Sequence, residues 1–232
     1  MIEARKSAWF ERLFAAYNRN LIARRFKGLR VAGLSDLRQR ARDLPMILYA
    51  NHSSWWDGLV AFQTGRACRL DQFVMMEERQ LRAYPLFQRL GAFSVARERP
   101  REAAQSVEYA ARLLRETSRV LWIFPQGETL PNDARPLRFY KGAAHIVRRC
   151  GRAYAAPVAM RYEFLEDFKP EAFARVGAPE RIEVAEGFNP KRVTRRFEER
   201  LTAELESLRA DILHGKFAEY EELVAPRRRK RD

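Results

Sequence analysis

Short hydrophobic runs alternate with longer stretches of helical periodicity along most of the chain. The short runs predict buried strands, at 46–50, 70–76, 91–97, 119–124, 154–162 and 181–188. The stretches between them predict helices, at 54–63, 78–90 (broken at Pro85), 103–114 and 141–150. Strands that alternate with helices predict an α/β fold, in which a mostly parallel mixed sheet is flanked by helices.

Two further helices are predicted near the ends of the chain. Residues 7–27 place aromatic side chains, among them Trp9, Phe10 and Phe14, at helical spacing with arginines between them. This pattern predicts an N-terminal amphipathic segment, 1–27, that contacts a membrane surface. Packing of the same face on the protein core is the open alternative. Residues 191–215 carry an apolar stripe that predicts a C-terminal helix packed on the core.

The charge of the chain narrows the choice of partner. Lysine and arginine number 44 against 30 acidic residues, a net charge of +14, which suits a nucleic acid, an anionic membrane or a phosphorylated substrate. The tail 226–232, PRRRKRD, is interpreted as a solvated basic segment that adds attraction to anionic lipid. Every apolar run falls short of the roughly 20 residues of a spanning helix. We therefore expect a cytoplasmic protein, peripheral on the cytoplasmic face of the membrane.

The chain shows no sign of a domain boundary and contains only two cysteines. No linker or repeat interrupts the chain, which predicts one domain, 1–232, with its catalytic core at 44–190. Cys68 and Cys150 lie far apart without paired Cys or His spacing nearby, which argues against a zinc site and a disulfide framework. We expect no metal.

A histidine follows the first predicted strand, in the stretch YANHSSWWDGLVAF at 49–62. On one continuous helix His52 and Asp57 would point roughly 140° apart. If His52 lies in a turn and the helix begins near Ser53 or Ser54, Asp57 can fold back toward the imidazole, with a serine as the N-cap. Such a His–Asp pair without a nucleophile suits deprotonation of a substrate hydroxyl. A structural histidine that caps the turn is the alternative.

Several motifs resemble, in order, those of the glycerolipid acyltransferases, the family of lysophosphatidate and glycerol-3-phosphate acyltransferases. NHSSWWD at 51–57 is similar to the N-H-x4-D signature of this family. Four later segments resemble its further blocks: GAFSVAR at 91–97, FPQGET at 124–129, YKGAAHI at 140–146 and AAPVAM at 155–160.

The resemblance implies an acyltransferase that moves a fatty acyl group from acyl-CoA or an acyl-carrier protein to a lipid hydroxyl, with no other cofactor. His52 would be the general base and Asp57 its orienting carboxylate, while Arg97 and Lys141 would bind an anionic group. The third block would bind the acceptor, with these residues: Phe124, Pro125, Gln126, Gly127 and Glu128.

Two positions of the third block depart from the family pattern. Gln126 stands where a glutamate is usual and Glu128 where a threonine is usual. Because an amide can donate as well as accept hydrogen bonds, we expect an acceptor headgroup other than the usual phosphate. The alternative function is a non-catalytic basic protein that binds an anionic membrane or nucleic acid. Nucleic acid is the less expected partner, and a serine hydrolase is disfavoured because no G-x-S-x-G motif occurs.

Overall fold

The computed structural model describes residues 1–226. The strands are β1 Leu29–Ala32, β2 Met46–Ala50, β3 Gln72–Glu77, β4 Ala92–Val95, β5 Val120–Ile123, β6 Arg152–Glu163, β7 Glu171–Val176, β8 Glu180–Glu183 and β9 Glu221–Val224. The α-helices are α1 Ala8–Arg25, α2 Leu34–Arg40, α3 Asp57–Ala67, α4 Glu78–Ala83, α5 Pro100–Leu114, α6 Gly142–Cys150 and α7 Pro190–Leu213. A 3₁₀ helix spans Pro85–Leu90.

All these strands belong to one mixed sheet, ordered β4-β3-β5-β2-β6-β7-β1-β9, with β8 paired to β6. From β4 to β6 every neighbouring pair is parallel. The β6–β7, β6–β8 and β1–β9 pairs are antiparallel, and β1–β7 is parallel. The predicted mostly parallel mixed sheet is therefore confirmed.

The centre of the sheet is its most deeply buried part, because helices cover both faces there. All five residues of β2 are buried, and their side chains alternate between two apolar clusters, one on each face. Tyr49 stacks on Phe197 of α7 with 4.5 Å between the ring centroids. The continuous apolar run that predicted a buried strand thus reflects contact with helices on either side.

The sequence missed several elements on the β7–β1–β9 side of the fold. β1, β7, β9 and α2 were not predicted, and the sheet therefore extends beyond the expected core of 44–190 at both ends. The helix expected from Ser54 begins at Asp57, and Trp56 is its N-cap without a side-chain cap. Ser53 and Ser54 were therefore wrong as N-cap residues. The strand expected at 181–188 ends at Glu183. The basic tail beyond Pro226 lies outside the described residues.

The two terminal helices differ in the side chains that they bury. α7 buries an apolar stripe that includes Phe197, Leu201 and Leu205, so its predicted packing on the core is confirmed. α1 buries Glu11, Asn18 and Ile22. Within residues 1–226, no helix is both long and apolar enough to cross a membrane.

Candidate active site

The candidate site lies at the carboxyl edge of the parallel strands, where open α/β sheets bind ligands. Strand β2 ends at Ala50, and the buried Asn51 follows it. The Asn51 amide donates to the carbonyl of Met160 at 3.0 Å and accepts the Met160 N–H at 2.8 Å. These two bonds tie the end of β2 to β6 and thereby fix the backbone from which His52 projects.

Asp57 is fully buried, and its carboxylate is held by four donors. Its Oδ2 lies 2.8 Å from His52 Nδ1 and accepts the backbone N–H groups of Ser53 at 2.7 Å and Ser54 at 2.8 Å. Its Oδ1 accepts the hydroxyl of Tyr162 at 2.6 Å. The loop before α3 thus wraps around the carboxylate, which explains why the helix starts later than expected.

Tyr162 near the end of β6 is a site residue that the sequence reading missed. Burial and the adjacent Asp57 charge raise the pKa of its hydroxyl well above the ordinary tyrosine value. The hydroxyl therefore stays protonated and keeps donating to Asp57 across the physiological pH range. A signal existed: a polar residue near the end of a strand beside β2 falls at the same edge as His52.

The backbone of His52 is held on both sides. Its N–H donates to Gln126 Oε1 at 2.8 Å, and its carbonyl accepts the N–H of Leu130 at 2.8 Å. The Phe124 ring packs against the imidazole with 4.9 Å between the centroids. Since the carboxylate of Asp57 accepts at Nδ1, the favoured tautomer carries its proton there, and Nε2 has the lone pair of a base.

Arg97, which follows β4, packs against the third block. Its guanidinium lies over the Tyr140 ring, 5.7 Å from the centroid, and Nη2 is 3.7 Å from Glu77 Oε2. Gly127 has a φ of +74°, and a Cβ there would overlap Arg97 Nη1. The bare glycine therefore makes room for the arginine.

A cavity of about 1370 Å³ opens beside His52, larger than the pockets that hold most small ligands. Most predicted binding residues line it: Arg97, Phe124, Pro125, Gly127, Glu128 and Lys141. Gln126 is only 4% exposed and does not line the cavity; its side chain accepts a hydrogen bond from the His52 backbone. In residues 1–226, no group of three His, Cys, Asp or Glu side chains could hold a metal ion.

The rest of the cavity wall is largely apolar. It is formed by β3, β4, the 3₁₀ helix and neighbouring segments, with Met75, Phe87, Leu90 and Val95 among the lining residues. Methionine and leucine side chains adapt to flexible hydrocarbon. The arrangement is that of an oriented base at the mouth of an apolar cavity, with a guanidinium nearby. It can bind an amphiphile and remove a proton from its polar end.

Comparison with known proteins agrees with this geometry. Residues 28–161 match the Acyltransferase family, and because they are more than half of the chain, the protein belongs to that family. The resemblance to the glycerolipid acyltransferases is thereby confirmed. The chain is 30% identical over 122 residues to a 1-acyl-sn-glycerol-3-phosphate acyltransferase of Streptococcus pneumoniae (strain ATCC BAA-255 / R6). That match covers 50% of this chain and 42% of the relative, less than half of its length.

The fold has a solved counterpart. The crystal structure of PlsC, the 1-acyl-sn-glycerophosphate (LPA) acyltransferase from Thermotoga maritima, superposes with a TM-score of 0.61 and covers 86% of this chain and 80% of that chain. Sequence identity is 16%, so this likeness shows the fold alone.

Proposed function

We propose that this protein is an O-acyltransferase that moves a fatty acyl group from a thioester donor, acyl-CoA or an acyl-carrier protein, to a hydroxyl of a lysophospholipid or related lipid. The observation that carries the proposal is the 2.8 Å contact between His52 Nδ1 and the buried Asp57 carboxylate at the mouth of a large apolar cavity. Membership of the acyltransferase family supports it.

In the proposed reaction, His52 Nε2 removes the proton of the acceptor hydroxyl as the oxygen attacks the thioester carbonyl. Collapse of the tetrahedral intermediate breaks the carbon–sulfur bond, and the leaving thiolate takes the proton from the imidazolium. Asp57 stabilises the imidazolium and keeps the ring in the productive tautomer. The residues of the dyad carry no nucleophile, so acyl transfer proceeds directly from donor to acceptor.

The acyl chain fits the apolar part of the cavity, while the anionic group of the acceptor is assigned to Arg97. A guanidinium 28% exposed, packed on an aromatic ring and 3.7 Å from a single carboxylate, retains donors for an anion. Lys141 also lines the cavity and adds positive charge. Gln126 does not identify the headgroup of the acceptor, because its side chain accepts a hydrogen bond from the His52 backbone.

We further propose that the protein acts peripherally on the cytoplasmic face of an anionic membrane. Exposed apolar side chains occur on α1, beside the catalytic loop and on the 3₁₀ helix, including Trp9, Leu13, Tyr17, Trp55 and Leu86. Phe14 and Phe87 from two of these segments also line the cavity. A bilayer that covers this surface would deliver lipid directly to the cavity mouth.

The proposal is tested by incubating the purified chain with radiolabelled acyl-CoA, or acyl-carrier protein, and a panel of lysophospholipids that differ in headgroup. We expect transfer to at least one acceptor and loss of transfer in the His52→Ala variant. If no donor and acceptor pair reacts while the protein still binds anionic vesicles, the non-catalytic alternative holds instead.

A further inference from the structure

A stripe of three basic residues runs along α6, outside the contacts of the catalytic dyad. Lys141, at the N-cap of α6, is followed at four-residue intervals by His145 and Arg149. That spacing places the three on one side of the helix. All three line the cavity that contains His52. The neighbouring Arg148 is exposed but does not line it.

The positive charge of this α6 stripe is poorly compensated. Across residues 1–226, no carboxylate lies within 4 Å of the basic group of Lys141 or His145. Arg149 pairs with Glu108 through Nε at 2.8 Å, a contact on the surface. Burial, followed by the charges of Arg149, Arg148 and Lys141, lowers the pKa of His145. His145 is therefore a neutral hydrogen-bond donor between two cations, and such a group favours an anionic ligand.

The part of the cavity that α5 and α6 both line is the α5–α6 groove. Where α5 borders the cavity, its contributing side chains are small, namely Pro100, Ala103, Ala104 and Val107. Small side chains leave space for an extended ligand to lie between α5 and α6. The groove therefore joins the basic stripe to the His52 end of the cavity.

The direction of α6 indicates which ligand reaches the stripe. The helix begins at the catalytic edge, where Tyr140 donates its N–H to the carbonyl of Pro125. It ends just before β6, which starts at the opposite edge of the parallel sheet. At 1.5 Å per residue, Arg149 lies about 12 Å along the axis from Lys141. An acceptor phosphate sits only a few bonds from the reacting hydroxyl and must stay near the dyad, whereas the phosphate of a thioester donor lies a whole pantetheine arm from the sulfur.

We propose that His145 and Arg149 bind the phosphate of the donor's 4′-phosphopantetheine arm, with the arm in the α5–α6 groove and the thioester at His52. Lys141, at the catalytic edge, stays with the acceptor's anionic group. This inference rests on the proposed acyl transfer. Acyl-CoA and acyl-carrier protein share this chemistry, so the site accounts for donor binding by either. Arg97 remains the separate anion site of the acceptor.

The test compares four donors that carry the same acyl chain: acyl-CoA, acyl-carrier protein, acyl-4′-phosphopantetheine and acyl-pantetheine, which lacks the phosphate. The variants are His145→Gln, Arg149→Ala and their double mutant, with Arg148→Ala as the matched control on the same helix. We expect each single change to raise the donor KM about tenfold for phosphate-bearing donors, and the double change to raise it further. The KM for acyl-pantetheine and for the acceptor should stay within about twofold, as should every constant of Arg148→Ala.

Different failures have different meanings. An effect on acyl-4′-phosphopantetheine and on only one of the two natural donors identifies that donor and supports the site. An effect on acyl-CoA alone implies binding of its nucleotide and overturns the site. Turnover with an unchanged donor KM, or an equal rise for acyl-pantetheine, overturns the phosphate site but leaves the proposed function intact. A rise in acceptor KM alone assigns the stripe to the acceptor and also overturns it. Absence of wild-type turnover with all four donors contradicts the proposed function, and the donor site with it.

Discussion

The catalytic centre and the outer face of α1 differ in which side chains they bury and which they expose. At the centre, the buried Asp57 carboxylate has four donors and the backbone of His52 is bonded on both sides. On α1, polar Asn18 is buried and donates to the carbonyl of Leu59, while Trp9 and Leu13 are 61% and 60% exposed. One region is organised by hydrogen bonds within the chain, and the other presents apolar surface outward.

This difference implies that chemistry and membrane attachment are separable. Changes at the centre should alter turnover and leave vesicle binding unchanged, because His52 lines the cavity and Asp57 is fully buried. Changes on the outer face of α1 should do the reverse.

The largest effect is expected from loss of the base. His52→Ala should lower kcat by about 10⁴-fold or more, and Asp57→Asn by about 10³–10⁴-fold, because the imidazole loses its orientation and charge stabilisation. Thermal unfolding of His52→Ala should resemble that of the wild type, since the side chain is 28% exposed. Vesicle binding should not change. Near-normal turnover of His52→Ala would refute the mechanism.

The second prediction concerns α1. Replacing the exposed Trp9, Leu13 and Tyr17 with Ser should weaken binding to anionic vesicles about hundredfold, since insertion of each apolar side chain contributes at least about 1 kcal/mol. Raised salt should weaken it further through screening. Sedimentation with vesicles measures both effects, and Leu213→Ser, which alters another exposed apolar residue, is the control.

An activity assay of the same variant with short-chain, water-soluble substrates separates loss of membrane binding from loss of catalysis. We expect kcat on them to stay within a few-fold of the wild type. Unchanged sedimentation together with a lowered melting temperature would instead assign this face of α1 to the protein core, the alternative that the sequence left open.

A smaller effect is expected at Tyr162. Tyr162→Phe removes one of four donors to Asp57, so we expect kcat to fall about tenfold with little change in KM. Tyr154→Phe, on the same strand but with its hydroxyl 3.5 Å from Arg40, is the control. A lowered melting temperature with an unchanged kcat of the folded enzyme would make Tyr162 merely structural.

The sequence predicted the central elements because burial on both faces leaves a continuous apolar run, as in 46–50. It missed β1 and β9 because short peripheral strands pair through backbone bonds and carry mixed side chains, such as Arg30 and Glu222. The His52–Asp57 pair was predictable from its spacing and a strand end. For Tyr162 the sequence showed only a polar residue near the end of a strand, and the β2–β6 pairing is what brings residue 162 beside residue 57.

The smallest effect is expected at Gln126, where sequence and structure suggest different roles. The departure from the family pattern predicts that this residue affects the choice of acceptor. In the structure, its Oε1 accepts the His52 N–H, and the side chain is 4% exposed. A glutamate keeps that oxygen, so Gln126→Glu should retain activity within a few-fold. Gln126→Leu leaves the N–H without its partner, a cost of about 1–3 kcal/mol, and should lower kcat about tenfold with the acceptor KM unchanged.

Acceptor ranking separates the two roles of Gln126. If the side chain only positions His52, both variants should rank a panel of lysophospholipids as the wild type does. If Gln126→Glu instead improves the use of lysophosphatidate relative to the other acceptors, the residue influences the headgroup as the sequence predicts. The influence would then pass through the turn at 126–128, because Gly127 and Glu128 line the cavity and Gln126 does not. Competition between two acceptors in one reaction measures this ratio directly and is insensitive to small losses of folded protein.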